Sequence, residues 1–159
     1  MDLVYNTNKK FNYKRLIEIW EMLDTTQEQL CVTSNNLMDG IGALKNSGKT
    51  MHDYKDLNPI FYGTYLEKVV HEVNDIVGQT YRVRFMNMKP RTTYRLHSDQ
   101  GFRYHIPLIT QKGCYFIVND NLYEMQEVGY LYSFDGRHKH TAVNASLDNS
   151  HRLHLLFST

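Results

Sequence analysis

Between Phe11 and Leu23 apolar side chains recur at Tyr13, Leu16, Ile17, Trp20 and Leu23. That three-and-four spacing predicts a helix over residues 11–23 with one buried stripe. The same period returns in Phe61, Tyr65, Val69, Val73 and Ile76. Asn58-Pro59 opens this second pattern as a cap and first-turn proline, and Gly78 closes it, so a helix is expected from 58 to 78. Gln29–Thr33 reads as a short strand. Residues 34–58, rich in Asn, Gly, Ser, Lys and Asp, read as a long structureless loop of the kind that often shapes a binding site. Residues 1–10 read as a polar arm or a short edge strand.

After Gly78 the period changes. Strand-like runs are expected at 80–88, 92–97, 102–110, 114–119, 122–126, 128–134, 139–144 and 151–158. The turn signals between them include Lys89-Pro90, Gln100-Gly101, Lys112-Gly113, Asn119-Asp120-Asn121 and Asp135-Gly136. Eight short strands after two helices predict a mainly β, double-sheet jelly roll (a double-stranded β-helix, cupin-like) buttressed by the helices. The chain of 159 residues is expected to be one domain, with 1–79 as a helical and loop support and 80–159 as the β core.

Composition narrows the function classes. The formal charge is +1 with both signs interspersed, which leaves no electrostatic footprint for nucleic acid. No apolar run is long enough to span a bilayer, and the first residues lack a signal-peptide core. Two cysteines, Cys31 and Cys114, without CxxC spacing read as packing thiols of a reduced, cytoplasmic protein, either a monomer or a weak homo-oligomer. The stretch GALKNSGKT resembles a phosphate-binding loop, but five residues separate Gly42 from Gly48 where the motif needs four. Nucleotide hydrolysis is therefore not expected.

The candidate chemistry lies between His97 and Arg152. His97 and Asp99 are two apart, so on an extended strand their side chains project to one side. A second imidazole must come from His138 or His140, which share parity and cannot be separated by alternation. Two histidines and a carboxylate on one face form the ligand pattern of non-haem Fe(II) oxygenases. A lone H-x-D has a plainer explanation, a histidine hydrogen-bonded to its neighbour, so the context carries the argument. Alternation places Arg103 with His105, and Arg152 with His154, on shared strand faces. Arginines directed into a cavity without an obvious acidic partner imply an anionic ligand.

The run FMNMKPRTTYRLHSDQGFRYHIPL, followed by GYLYSFDGRHKHTAVNASLDNSHRLHLLF, resembles the aspartyl/asparaginyl β-hydroxylase-like branch of the 2-oxoglutarate- and Fe(II)-dependent dioxygenases. The resemblance covers residues 80–158. It implies His97, Asp99 and His140 as iron ligands, with His138 left in a loop. It implies Arg152 as the partner of the distal carboxylate of 2-oxoglutarate, and Arg103 and His105 as further co-substrate contacts. It also implies a hydroxylase that uses O2 to convert 2-oxoglutarate to succinate and CO2 while oxidising a C–H bond, with an Asp or Asn side chain in a peptide or a free amino acid as the expected substrate. Met86 departs from the pattern, standing where the family has a serine that helps to hold the distal carboxylate. Two other readings fit a jelly roll: a non-catalytic binder of small anions or carbohydrates, and a cupin metalloenzyme without 2-oxoglutarate.

Overall fold

In the computed structural model the described residues are 2–39 and 47–159. The phosphate-loop-like stretch at 42–50 therefore lies largely outside them. Ten strands follow the order β1 (Val4–Lys10), β2 (Gln29–Cys31), β3 (Tyr81–Met88), β4 (Thr92–Thr93), β5 (Phe102–Ile109), β6 (Cys114–Val118), β7 (Asn121–Tyr123), β8 (Tyr130–Asp135), β9 (His140–Asn144) and β10 (Arg152–Ser158). Helix α1 spans Tyr13–Glu21 and helix α2 spans Tyr65–Val77.

The strands form two antiparallel sheets, one in the order β1-β8-β5-β10-β3-β2 and the other β4-β9-β6-β7. The eight strands from β3 onward interleave between the sheets as in two Greek keys, which is the jelly-roll order. The sheets face each other through aromatic contacts such as Phe116 on β6 against Phe134 on β8, with ring centroids 4.6 Å apart. Both edges of the larger sheet come from the N-terminal part of the chain. β1 pairs with β8, and β2 pairs with β3.

Alternation divides the larger sheet into two cores. Val83, Phe85, Ile106, Leu108, Leu153, Leu155 and Phe157 point outward and are covered by Leu16 and Trp20 of α1 and by Leu66, Val69, Val70 and Val73 of α2. Burying that many aliphatic side chains, at about 1.5–3 kcal/mol each, is what fixes the helices to the sheet. The inward positions of the same strands are freed for polar side chains.

Three expectations need correction. The second helix is not continuous from 58. A 3-10 turn at Pro59–Phe61 ends at Gly63, whose φ of 75° breaks the helix before α2 starts at Tyr65. The loop 34–58 is not structureless, because Met51–Tyr54 forms a 3-10 turn whose start is held by Thr50 N–H donating to the Asp53 carboxylate at 2.6 Å. The strand expected at 92–97 is regular only at Thr92–Thr93, and His97 joins the sheet through an isolated antiparallel bridge to His140.

Candidate metal and dicarboxylate site

His97 N–H donates to His140 C=O (3.1 Å), and His140 N–H donates to His97 C=O (2.8 Å), so the bridge itself sets the two imidazoles side by side. Their ring centroids are 4.4 Å apart. Asp99 is placed by its own backbone, which donates to Gly136 C=O at 2.8 Å. Any side chain at Gly136 would strike Gly101 O at 2.8 Å and Asp99 Cβ at 3.2 Å, so this approach requires glycine. Asp99 Oδ2 then lies 3.8 Å from His97 Nε2 and 3.6 Å from His140 Nε2.

One ligand atom from each of these residues falls within 4.8 Å of the others, the spacing of a three-donor metal site. The donor chemistry fits as well. His97 Nδ1 lies 2.6 Å from Arg95 C=O and His140 Nδ1 lies 2.9 Å from His138 C=O. A carbonyl only accepts, so each ring carries its proton on Nδ1 and presents a bare Nε2 toward Asp99. His140 is further wedged by Phe134, with centroids 4.9 Å apart and rings nearly perpendicular. Burial works against the Asp99 charge, but the Arg103 guanidinium beside it holds the carboxyl well below the usual range. Arg103 Nε donates to Asp99 Oδ2 at 3.0 Å. Arg103 therefore has an acidic partner after all, which alternation alone did not reveal.

The triad sits on the wall of a cavity of about 1060 Å³, which also takes in Arg152, His105, Phe116, Phe134, Tyr94, Met86 and Leu156. Arg152 is 3% exposed and burial lowers its pKa to about 10. Its NH2 donates to His154 Nδ1 at 3.2 Å, and the same Nδ1 lies 3.2 Å from His105 Nδ1. Burial, reinforced by the Arg152 charge, pushes both of these imidazoles well below their ordinary pKa. The linkage has a definite sign: folding depresses these pKa values, so the stability they support is present above about pH 6.5 and is lost as pH falls below it. Each histidine should remove up to about 1.4 kcal/mol per pH unit in that window. Melting temperatures measured from pH 7 to pH 5 should fall accordingly, and a flat profile would contradict the buried neutral pair.

His138 stays in the β8–β9 loop, where its ring meets Asn119 Nδ2 at 2.8 Å; its carbonyl, not its ring, serves the site. His151 turns away from the cavity to Asn87 Oδ1 at 3.0 Å. His71, on α2, is likewise no part of the cavity lining. His52 does line the cavity, because the 3-10 turn carries it against Tyr81, with centroids 4.8 Å apart.

Two functional candidates were missed, Arg82 and Arg84 on β3. The alternation in YRVRFM could have found both, since Arg82 and Arg84 have the parity opposite to Val83 and Phe85, which face the helices. Tyr81 needs the structure. Leu156 pairs with Arg84 while Ser158 pairs with Tyr81, an irregularity at which Arg82 takes a φ of 46°. That bulge lets the neighbours Tyr81 and Arg82 both line the cavity.

The fold and donor set define a class, a double-stranded β-helix carrying three side chains that could hold a metal ion. Residues 9–159 match the aspartyl/asparaginyl β-hydroxylase family model. The chain belongs to that family, and so to a family of hydroxylases. The match begins far upstream of residue 80, so both helices lie within it, while most of β1 lies outside. Among solved structures, the chain is similar to an oxidoreductase of the 2OG-Fe(II) oxygenase family from Burkholderia pseudomallei, at 16% identity and a TM-score of 0.45. That similarity covers 56% of this chain and 48% of the other, so the chain spans about half the length of that relative. No curated protein matches the chain.

Proposed function

We propose that this protein is an Fe(II)- and 2-oxoglutarate-dependent hydroxylase of an unactivated C–H bond in an acidic substrate, such as an Asp side chain in a peptide or a free amino acid. The observation that carries the proposal is the pair of Nδ1-protonated imidazoles whose free Nε2 atoms converge on Asp99, in one cavity with the buried Arg152 guanidinium. His97, Asp99 and His140 would hold the iron. The iron would supply the redox chemistry by which O2 turns 2-oxoglutarate into succinate and CO2 and the substrate C–H into an alcohol.

The chain's own residues do the rest. Arg103 keeps Asp99 ionised and oriented through its 3.0 Å bond. Arg152 offers a planar fork to the distal carboxylate of 2-oxoglutarate, in a site dry enough to strengthen the pairing. His105 lines the same pocket, and Phe116 and Phe134 exclude water beside His140. The donor that the family's serine would supply is absent at Met86, which leaves the clamp to Arg152.

The acidic substrate follows from Arg84. This guanidinium is 8% exposed, donates to Gln29 Oε1 at 3.1 Å, and leaves its Nε without a partner among the described residues. Burial and the neighbouring Arg82 lower its pKa to about 9. On the sheet Arg84 pairs with Leu156, four residues along β10 from Arg152, or about 13 Å at strand spacing. It is therefore a second anion seat, separate from the dicarboxylate clamp. The two free, buried cysteines accord with a cytoplasmic setting.

An anaerobic solution of the protein with Fe(II) should develop a weak visible absorption band when 2-oxoglutarate is added. Aspartate or an Asp-containing peptide should perturb that band in the native protein and fail to do so in Arg84→Met. Absence of the band would end the co-substrate reading. A band that aspartate or the peptide perturbs as readily in Arg84→Met as in the native protein, or in neither, would end the acidic-substrate reading alone.

A further inference from the structure

His154 has no place in the chemistry described so far, yet its burial is complete. It lines no part of the cavity and stands behind two residues that do, Arg152 and His105. Its hydrogen bonds fix where its proton is. Arginine has five N–H donors and nothing to accept with, so the 3.2 Å contact obliges His154 Nδ1 to accept from Arg152 NH2. The proton of the neutral ring is then on Nε2, and that atom is buried without a partner among the described residues. His105 Nδ1, also 3.2 Å from His154 Nδ1, can only be the donor in that contact. One lone pair thus gathers both groups. Leaving a buried N–H unpaired destabilises the fold, and a leucine of similar size would avoid that cost. What the histidine provides is an acceptor for two buried donors that a leucine would leave unpaired.

We infer that His154 is a positioning residue, whose Nδ1 lone pair aims the Arg152 guanidinium and sets the His105 tautomer so that the cavity is preorganised for a dicarboxylate. No other side chain among the described residues hydrogen-bonds the Arg152 guanidinium. Without that acceptor the long side chain would have to be ordered by the ligand itself, at the ligand's expense in affinity. The inference rests on the reading of Arg152 as the co-substrate clamp.

The test compares H154L with H154N. Asparagine carries an acceptor oxygen the same number of bonds from Cα as Nδ1, whereas leucine fills the space and accepts nothing. In calorimetric titrations of 2-oxoglutarate into the Mn(II)-loaded protein, H154L should bind about tenfold or more weakly, the weight of a hydrogen bond to a charged group. H154N should recover most of that loss. The Mn(II) affinity of H154L should match that of the native protein, which separates lost positioning from a disrupted site. Unchanged binding by H154L, or equal weakness of H154L and H154N, would overturn the inference. Normal binding by R152A would overturn the clamp itself, and a weak R152A beside an unchanged H154L would overturn only the role of His154.

Discussion

Replacing His140 with alanine should abolish metal binding and succinate formation together. His140 is the buried member of the triad, and its Nε2 has no substitute nearby: the His138 ring is engaged by Asn119 in the loop. Losing a direct ligand should exceed the roughly 10–100-fold loss of affinity seen when only an outer partner is removed. The fold should survive. The backbone bridge to His97 uses main-chain atoms that alanine retains, and the space left beside Phe116 and Phe134 opens into an existing cavity. Metal titration with Mn(II) and a succinate assay would read the two losses separately. His138→Ala is the control and should stay within a few-fold of native. If His138→Ala lost the metal and His140→Ala kept it, the assignment between the two would reverse.

Arg152→Ala should raise the 2-oxoglutarate requirement on the order of a hundredfold or more while leaving the metal in place. Breaking a buried ion pair by removing one partner costs about 3–5 kcal/mol. Arg152 hydrogen-bonds His154 and none of the triad. Arg152→Lys should not restore affinity, because an ammonium lacks the planar fork that meets a carboxylate at two points. Binding of 2-oxoglutarate to the Mn(II)-loaded variants measures this directly. Native affinity in Arg152→Ala would move the clamp elsewhere, with Arg84 the next candidate.

These two experiments bear on residues that were legible in the sequence for different reasons. His97 with Asp99, and Arg152 with His154, are i, i+2 pairs, and period-two alternation puts each pair on one face whatever the partner strand is doing. The outward row Leu153, Leu155 and Phe157 was readable from the same rule, as was the helical stripe that covers it. The choice of His140 over His138 was not readable from alternation, since both have the same parity. It came from the resemblance, and the structure supplies a physical account: His140 lies in β9, while His138 remains in the turn before it.

Sequence alone therefore determined which side chains share a face, because alternation and the helical period are properties of the local backbone. Only the tertiary structure decided which faces meet. The His97–His140 bridge, the Arg103–Asp99 contact, the histidine pair behind Arg152 and the bulge that brings Tyr81 to the cavity beside Arg82 all depend on pairing register between distant strands. Register is set by long-range packing and by close approaches such as Gly136 against Asp99, which no local pattern encodes.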